Sequence, residues 1–265
     1  MPFAQINGQR IFFTDTGGNR SAIVFSHGLL MDQEMFAPQV AFFADRYRCI
    51  TWDERGHGQT AGQALAPFSY YDSADDVLAL LDHLAIESAI LAGMSQGGYL
   101  SLRCALRHPG RVRALILIDT QADPEDPAKM AGYQQLVDDW TTNGLSDAVA
   151  SIIEGLILGE GWPGSERWKS KWKAWSPANL VGCIQALASR DDITAKIGDI
   201  TVPTLVVHGD HDAAIPLSAG QRLASSIPGA KFVAIPGAGH AANLTHPDPT
   251  NRAIEGFLGS LPHAR

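Results

Sequence analysis

Along the chain, short apolar runs alternate with longer segments in which apolar residues return every three or four positions. The short runs, at residues 22–26, 49–52, 89–92, 115–118, 204–207 and 232–235, are rich in β-branched and apolar residues. Runs of this kind are the pattern of strands buried on both faces in a parallel sheet. The longer segments, at 33–43, 73–84, 96–107, 217–226 and 249–258, read as the helices between them. In the second of these, Val77, Leu80, Leu81 and Leu84 share one face, and Asp72 or Ser73 can serve as N-cap. Asp75 and Asp76 suit the positive end of its dipole. The opening differs. Residues 3–6 and 9–14 flank Asn7-Gly8, a pair suited to the positive φ of a tight turn, so an antiparallel hairpin is expected ahead of the alternation.

No strand pattern occurs between residues 119 and 204. A structureless loop of that length does not fit a compact domain. The stretch reads as four helices, near 127–142, 146–158, 165–175 and 177–189. The expected organisation is therefore an α/β core of residues 1–121 and 194–265, with residues 122–193 forming a helical cap inserted after the sixth strand. Five of the six tryptophans, Trp140, Trp162, Trp168, Trp172 and Trp175, fall in this cap. Trp168, Trp172 and Trp175 share one helical face, which either packs the cap onto the core or forms an aromatic wall for an apolar substrate. Packing is the more ordinary role.

Composition narrows the function. With 45% hydrophobic and 18% charged residues among 265, the chain has material for a sizeable core. A formal net charge of −8 and the lack of any basic stripe argue against nucleic acid and anionic membrane surfaces as partners. The three cysteines, Cys49, Cys104 and Cys183, have no paired spacing, and the first two sit in apolar runs as small buried hydrophobes. No secretory signal and no membrane-length apolar run is visible, so a cytoplasmic protein is expected.

Chemistry enters at Gly93-Met94-Ser95-Gln96-Gly97-Gly98, which fits Gly-x-Ser-x-Gly. The motif alone is short, but here it joins a buried strand to a helix, the setting in which it forms a nucleophile elbow. Ser95 would sit on a strained turn, with Gly93 and Gly97 where strand and helix would otherwise collide. The Gln96 N–H, at a helix N-terminus, can stabilise an oxyanion. A serine hydroxyl needs a base. His240 follows Gly239 directly after the last strand, at the edge where catalytic loops gather; His246, ahead of Pro247, is its local rival. The loop Gly209-Asp210-His211-Asp212 offers a carboxylate to orient that imidazole. Asp212 is favoured, since Asp210 suits turn bonding and Asp119 stands third. A metal site in the same cluster is disfavoured, because its ligands would crowd onto a few consecutive residues. No cofactor or metal is expected. Ser26-His27-Gly28-Leu29 ends another strand at this edge and can supply a second oxyanion donor, the Leu29 N–H. His27 reads as a structural hydrogen-bonder, and Asp53-Glu54-Arg55-Gly56-His57-Gly58 as a scaffolding turn.

Together, His27-Gly28, Asp53-x-Arg55-Gly56-x-Gly58, Gly93-x-Ser95-x-Gly97, Gly209-x-x-Asp212 and Gly239-His240 resemble the α/β-hydrolase family over nearly the whole chain. The resemblance implies a mostly parallel sheet under a helical cap. It implies Ser95 as nucleophile, Asp212 as acid, His240 as base, and Leu29 and Gln96 as oxyanion donors. Ser26 to Leu29 with Phe36, Trp52 to Gly58, and Gly93 to Gly98 look most like the 3-oxoadipate enol-lactonase group and its esterase-like relatives. The expected activity is hydrolysis of a small, largely apolar carboxylic ester or lactone through an acyl-enzyme. The family's dehalogenases and epoxide hydrolases carry aspartate where Ser95 stands. Gln96 departs from the Met or Leu of many relatives, and its side chain is a candidate contact at the pocket floor. Phe36, Trp140 and Trp162 are candidate substrate-binding residues, with Met130, Leu136, Ile157 and Leu187 as further guesses at the cap lining. Three other readings share the fold: a carbon–carbon hydrolase acting on a ring-cleavage dienoate, for which Arg190 is the one loose cationic candidate, a cofactor-free perhydrolase or haloperoxidase, and a non-enzymatic ligand receptor. No oligomeric state is indicated.

Overall fold

The computed structural model describes residues 2–62 and 65–261. Its chain opens as a hairpin, β1 (Phe3–Ile6) and β2 (Gln9–Asp15), turned at Asn7 and Gly8 with φ of 48° and 79°. The strands β3 (Ala22–Ser26), β4 (Arg48–Trp52), β5 (Ala89–Met94), β6 (Val112–Ile118), β7 (Thr204–Gly209) and β8 (Lys231–Ile235) come after it. All eight form one sheet in the order β1-β2-β4-β3-β5-β6-β7-β8. The β1–β2 and β2–β4 pairs are antiparallel and every other pair is parallel.

Side chains alternate across the parallel strands and build two cores. Ile23 and Phe25, Ile90 and Ala92, and Ile116 and Ile118 face one side, together with Phe43, Ile254 and Phe257. These last three lie on α1 (Ala37–Phe43) and α10 (Pro247–Leu258). Val24, Leu91, Leu115, Leu117 and Val206 face the other side. There they meet α2 (Tyr70–His83), α3 (Gln96–Arg107) and, late in the chain, α8 (Leu217–Ser226).

Four helices separate β6 from β7: α4 (Pro127–Asn143), α5 (Asp147–Ile157), α6 (Ser165–Lys173) and α7 (Pro177–Ala188). Trp140, Ile153, Trp168 and Trp172 of this group join the core that covers the first face. The Trp172 indole donates to the Leu30 carbonyl at 2.7 Å, and the Trp175 indole to the Gly56 carbonyl at 2.7 Å. Leu30 follows β3 and Gly56 follows β4, so both bonds fasten the helices to the end of the sheet where those strands finish. The four-residue α9 (Ala242–Thr245) precedes α10.

Several boundaries differ from the sequence reading, among them β6, which begins at Val112, and three helical ones change a cap or a face. The segment 33–43 is a 3₁₀ turn (Gln33–Phe36) running into α1, started by the Asp32 side chain, which accepts from the Glu34 N–H at 2.9 Å. Helix α2 begins at Tyr70, three residues early. Its N-cap is Ser69, whose N–H donates to Asp72 Oδ2 at 2.7 Å, so Asp72 closes a capping box rather than starting the helix. Helix α6 ends at Lys173, which leaves Trp175 beyond it and breaks the expected three-tryptophan face. Among the described residues no helix is long and apolar enough to cross a membrane.

Candidate active site

Ser95 stands between β5 and α3 with φ 52° and ψ −114°, a left-handed backbone that a non-glycine residue adopts only under constraint. The constraint is visible. The Ser95 N–H donates to Ile118 O at 2.9 Å, and its carbonyl accepts from the Thr120 hydroxyl at 2.8 Å and the Gly98 N–H at 2.9 Å. A Cβ at Gly93 would lie 2.1 Å from Gly97 O, and one at Gly97 would lie 2.0 Å from Ser26 O. These two glycines let α3 pack directly onto β5 and β3.

His240, in the loop after β8, approaches Ser95 Oγ with Nε2 at 3.0 Å. Its Nδ1 is 2.8 Å from Asp212 Oδ2, in the loop after β7. All three residues are buried. Gly209 makes the meeting of the two loops possible, because a Cβ there would sit 2.3 Å from Gly239 O. Asp212 Oδ1 accepts the N–H groups of Ala214 and Ile215 at 2.8 and 2.9 Å. Every partner of this carboxylate is thus a donor. Burial alone would raise its pKa, but the His240 charge and the hydrogen bonds from His208 and His240 outweigh it and hold the acid well below the usual carboxylate range.

Two neighbours complete this cluster: His208, to which the sequence assigned no role, and Asp119, the third candidate for the acid. His208 Nε2 lies 2.9 Å from Ile215 O and 3.2 Å from Asp212 Oδ2, so Asp212 touches two imidazoles. Burial opposes a charge on His208, yet the bond to Asp212 and the field of Asp119 raise its pKa. Asp119, fully buried, accepts from the Gly209 N–H at 2.7 Å and the Ala242 N–H at 2.9 Å. It thereby clamps the Asp212 loop to the His240 loop. Burial pushes its pKa up to about 7. Asp119, His208 and Asp212 are close enough to suggest a metal-binding group. Each carboxylate oxygen, however, already accepts a backbone or imidazole N–H. Asp210 instead accepts from Gly237 N–H at 2.7 Å, and His246 bonds its neighbour Thr245 at 3.0 Å.

Ser95 and His240 open onto a cavity of about 130 Å³. Leu29, Met94 and Ile215 supply its core side, while Leu136, Ile157 and Leu187 come from α4, α5 and α7. A site for a drug-sized ligand is roughly 300–1,000 Å³, so this one suits a compact, apolar group. A larger cleft of about 560 Å³ between α6 and the loops after β3 and β4 contains neither Ser95 nor His240. Leu29, in the loop after β3, lines the smaller cavity, and Gly28 beside it has no room for a Cβ against Met94 Sδ at 2.5 Å. Gln96 opens α3, where first-turn N–H groups have no intrahelical acceptor.

Several expected contacts are corrected by the packing. Phe36 is fully buried against Phe25, with ring centroids 5.1 Å apart. Trp140 is buried in the core and packs on Trp175, and Trp162 folds against Gly164. None of these three lines the cavity, because their large rings are spent on joining the helices to one another and to the sheet. Of the further guesses, Leu136, Ile157 and Leu187 line it and Met130 does not. The Gln96 side chain also turns away from the cavity. Its amide reaches Glu54 Oε1 at 3.2 Å and His57 Nε2 at 3.4 Å, and accepts from Tyr70 at 3.3 Å. In that buried network, burial pushes Glu54 up to about 8 and brings His57 down to about 3 and His27 to about 4. His27 accepts from the Glu54 N–H at 3.0 Å and donates to Gly28 O at 2.9 Å, a structural role.

A parallel sheet with an antiparallel hairpin, a strained serine at a strand–helix turn and a histidine loop after the last strand define the α/β-hydrolase class. The chain belongs to the alpha/beta hydrolase fold family, whose model matches residues 21–247. It is 28% identical over 255 residues to 3-oxoadipate enol-lactonase 2 of Acinetobacter baylyi, covering 91% of this chain and 89% of that one. It is 29% identical over 280 residues to a non-heme haloperoxidase of Rhodococcus erythropolis, covering 98% and 100%. The solved enol-lactonase of Burkholderia xenovorans superposes with a TM-score of 0.89 at 28% identity, covering 98% and 100%.

Proposed function

We propose that this hydrolase cleaves a small, largely apolar carboxylic ester or lactone through an acyl-enzyme on Ser95. The observation that carries the reading is the chain of contacts Ser95–His240–Asp212, at 3.0 and 2.8 Å, facing an apolar cavity. His240 Nε2 takes the Ser95 proton while Asp212 holds Nδ1–H, and Oγ attacks the carbonyl carbon. The Gln96 and Leu29 N–H groups receive the oxyanion. His240 then returns the proton to the leaving alkoxide, activates a water, and the acid departs. Residues 122–193 act as the cap that shapes the cavity and screens it from solvent. The similarity to lactonases supports this chemistry, since a lactone is a cyclic ester.

The similarity to a haloperoxidase favours one second reading, in which hydrogen peroxide replaces water at the acyl-enzyme. A screen of p-nitrophenyl acyl esters of increasing chain length, with lactones, run beside Ser95→Ala tests the first. The expected result is Ser95-dependent turnover with an optimum at short acyl chains. Equal turnover by a folded Ser95→Ala protein would sink it. Peroxide-dependent dye halogenation outrunning ester hydrolysis would select the second.

A further inference from the structure

The cavity lining is mostly apolar, but Gln121, Glu125 and Tyr133 add polar groups to it. Behind Glu125 lies Arg190, whose side chain is 1% exposed. Its Nη1 donates to Glu125 Oε2 at 2.7 Å and its Nε to Asp123 O at 3.1 Å. The guanidinium carbon stands 4.3 Å from the centroid of the Tyr99 ring. The remaining nitrogen, Nη2, is buried with no hydrogen-bond partner among the described residues. A planar guanidinium satisfied on one edge and unsatisfied at another is uncommon in a buried setting. Glu125 lines the cavity and Arg190 does not, so the charge presented to a substrate is the carboxylate's. The Tyr133 hydroxyl registers that field: burial, then the charge of Glu125, pushes it up to about 12.

We propose that Glu125 and Arg190 form a charge filter in the wall of the Ser95 cavity. Glu125 turns away substrates with an anionic tail, and removing its charge would leave the buried Arg190 guanidinium as the uncompensated charge behind the wall. The filter rests on the reading of Ser95 as an ester-cleaving nucleophile and specifies its substrate class as neutral. The physical basis is direct. A substrate carboxylate beside Glu125 meets a like charge in a poorly hydrated site, whereas once residue 125 is neutral the nearest charge is the attractive guanidinium of Arg190. A chain ending in methyl meets neither.

The test compares p-nitrophenyl hexanoate with mono-p-nitrophenyl adipate, which differ only in the terminal group. The parent protein should prefer hexanoate by at least about tenfold in kcat/KM, the smallest effect a like-charge encounter in such a site would give. Glu125→Gln should shrink that preference by about tenfold or more, through a lower KM for the adipate ester. Glu125→Gln with Arg190→Gln should lose that gain. A parent that takes both esters equally well, or a folded Glu125→Gln protein with an unchanged ratio, overturns the filter. Binding of ethyl hexanoate and of monoethyl adipate to Ser95→Ala protein, read by thermal shift, needs no turnover and no change at Glu125. Stabilisation by the neutral ester but not by the adipate monoester supports the filter even if Glu125→Gln does not fold, and equal stabilisation refutes it. Absent Ser95-dependent hydrolysis of every ester would defeat the ester-cleaving reading alone, and the binding experiment would still decide the filter.

Discussion

Asp212→Asn removes one charge at almost no change in volume, and the surrounding contacts dictate how the site responds. Oδ1 receives two backbone N–H groups at 2.8 and 2.9 Å, so the asparagine oxygen must stay there. The amide nitrogen then falls at the Oδ2 position, 2.8 Å from His240 Nδ1. Facing a donor, Nδ1 must become an acceptor, which moves the imidazole proton to Nε2. That nitrogen is 3.0 Å from Ser95 Oγ and can no longer take its proton. The wrong tautomer in a Ser-His-Asp triad costs about 10⁴ in kcat, or about 5 kcal/mol of barrier. The assay is kcat/KM on the best p-nitrophenyl ester, with thermal melting to confirm that the variant is folded. Asp119→Asn is the comparison. It keeps one oxygen but strips an acceptor from the Gly209 or Ala242 N–H, so it should cost about 1–3 kcal/mol of stability and less activity than Asp212→Asn. A folded Asp212→Asn protein within about tenfold of the parent, beside a crippled Asp119→Asn, would refute the assignment and exchange the two roles.

Other changes test the frame around this site. Trp172→Phe leaves the Leu30 carbonyl without its buried donor and should lower unfolding free energy by about 1–3 kcal/mol in a denaturant titration. A loss within error would mean that packing, not this bond, holds α6 down. Gly97→Ala should yield insoluble or inactive protein in expression trials, since its Cβ would lie 2.0 Å from a backbone oxygen that cannot give way. Glu54 gives a pH signature. Its folded pKa, about 8, exceeds the ordinary 4.5, so its contribution to stability is complete below about 4.5 and is lost as pH rises through 8. Glu54→Gln should therefore melt with a smaller drop between pH 5 and 8.5 than the parent. Asp53 and Asp119, both pushed to about 7 by burial, keep some decline in each protein. Parallel curves would show that Glu54 is ionised in the folded state.

Local pattern carried much of this protein. The periods of apolar residues marked the strands and most helices, and Asn7-Gly8 marked the hairpin, because side-chain spacing and turn chemistry act over a few residues. Gly93, Ser95 and Gly97 were legible for the same reason: their strain and close packing are written into consecutive positions. The loops after the last two strands also brought Asp212 and His240 forward as partners, and the structure sets them in contact with each other and His240 in contact with Ser95. What lay outside the sequence were contacts between side chains distant along it. His208 carried no assigned role until folding put its Nε2 beside Asp212. Asp119 looked like a rival acid until folding set its two oxygens to clamp two loops, Gly209 to Ala242. The tryptophans drew attention by size and number, yet size is as useful for joining helices as for lining a cavity, and only the direction of each ring separates the two uses. Those directions come from how α4, α5, α6 and α7 settle on the sheet. The same settling set Glu125 in the cavity wall with Arg190 behind it, 65 positions apart in the chain, a pairing that no local spacing records.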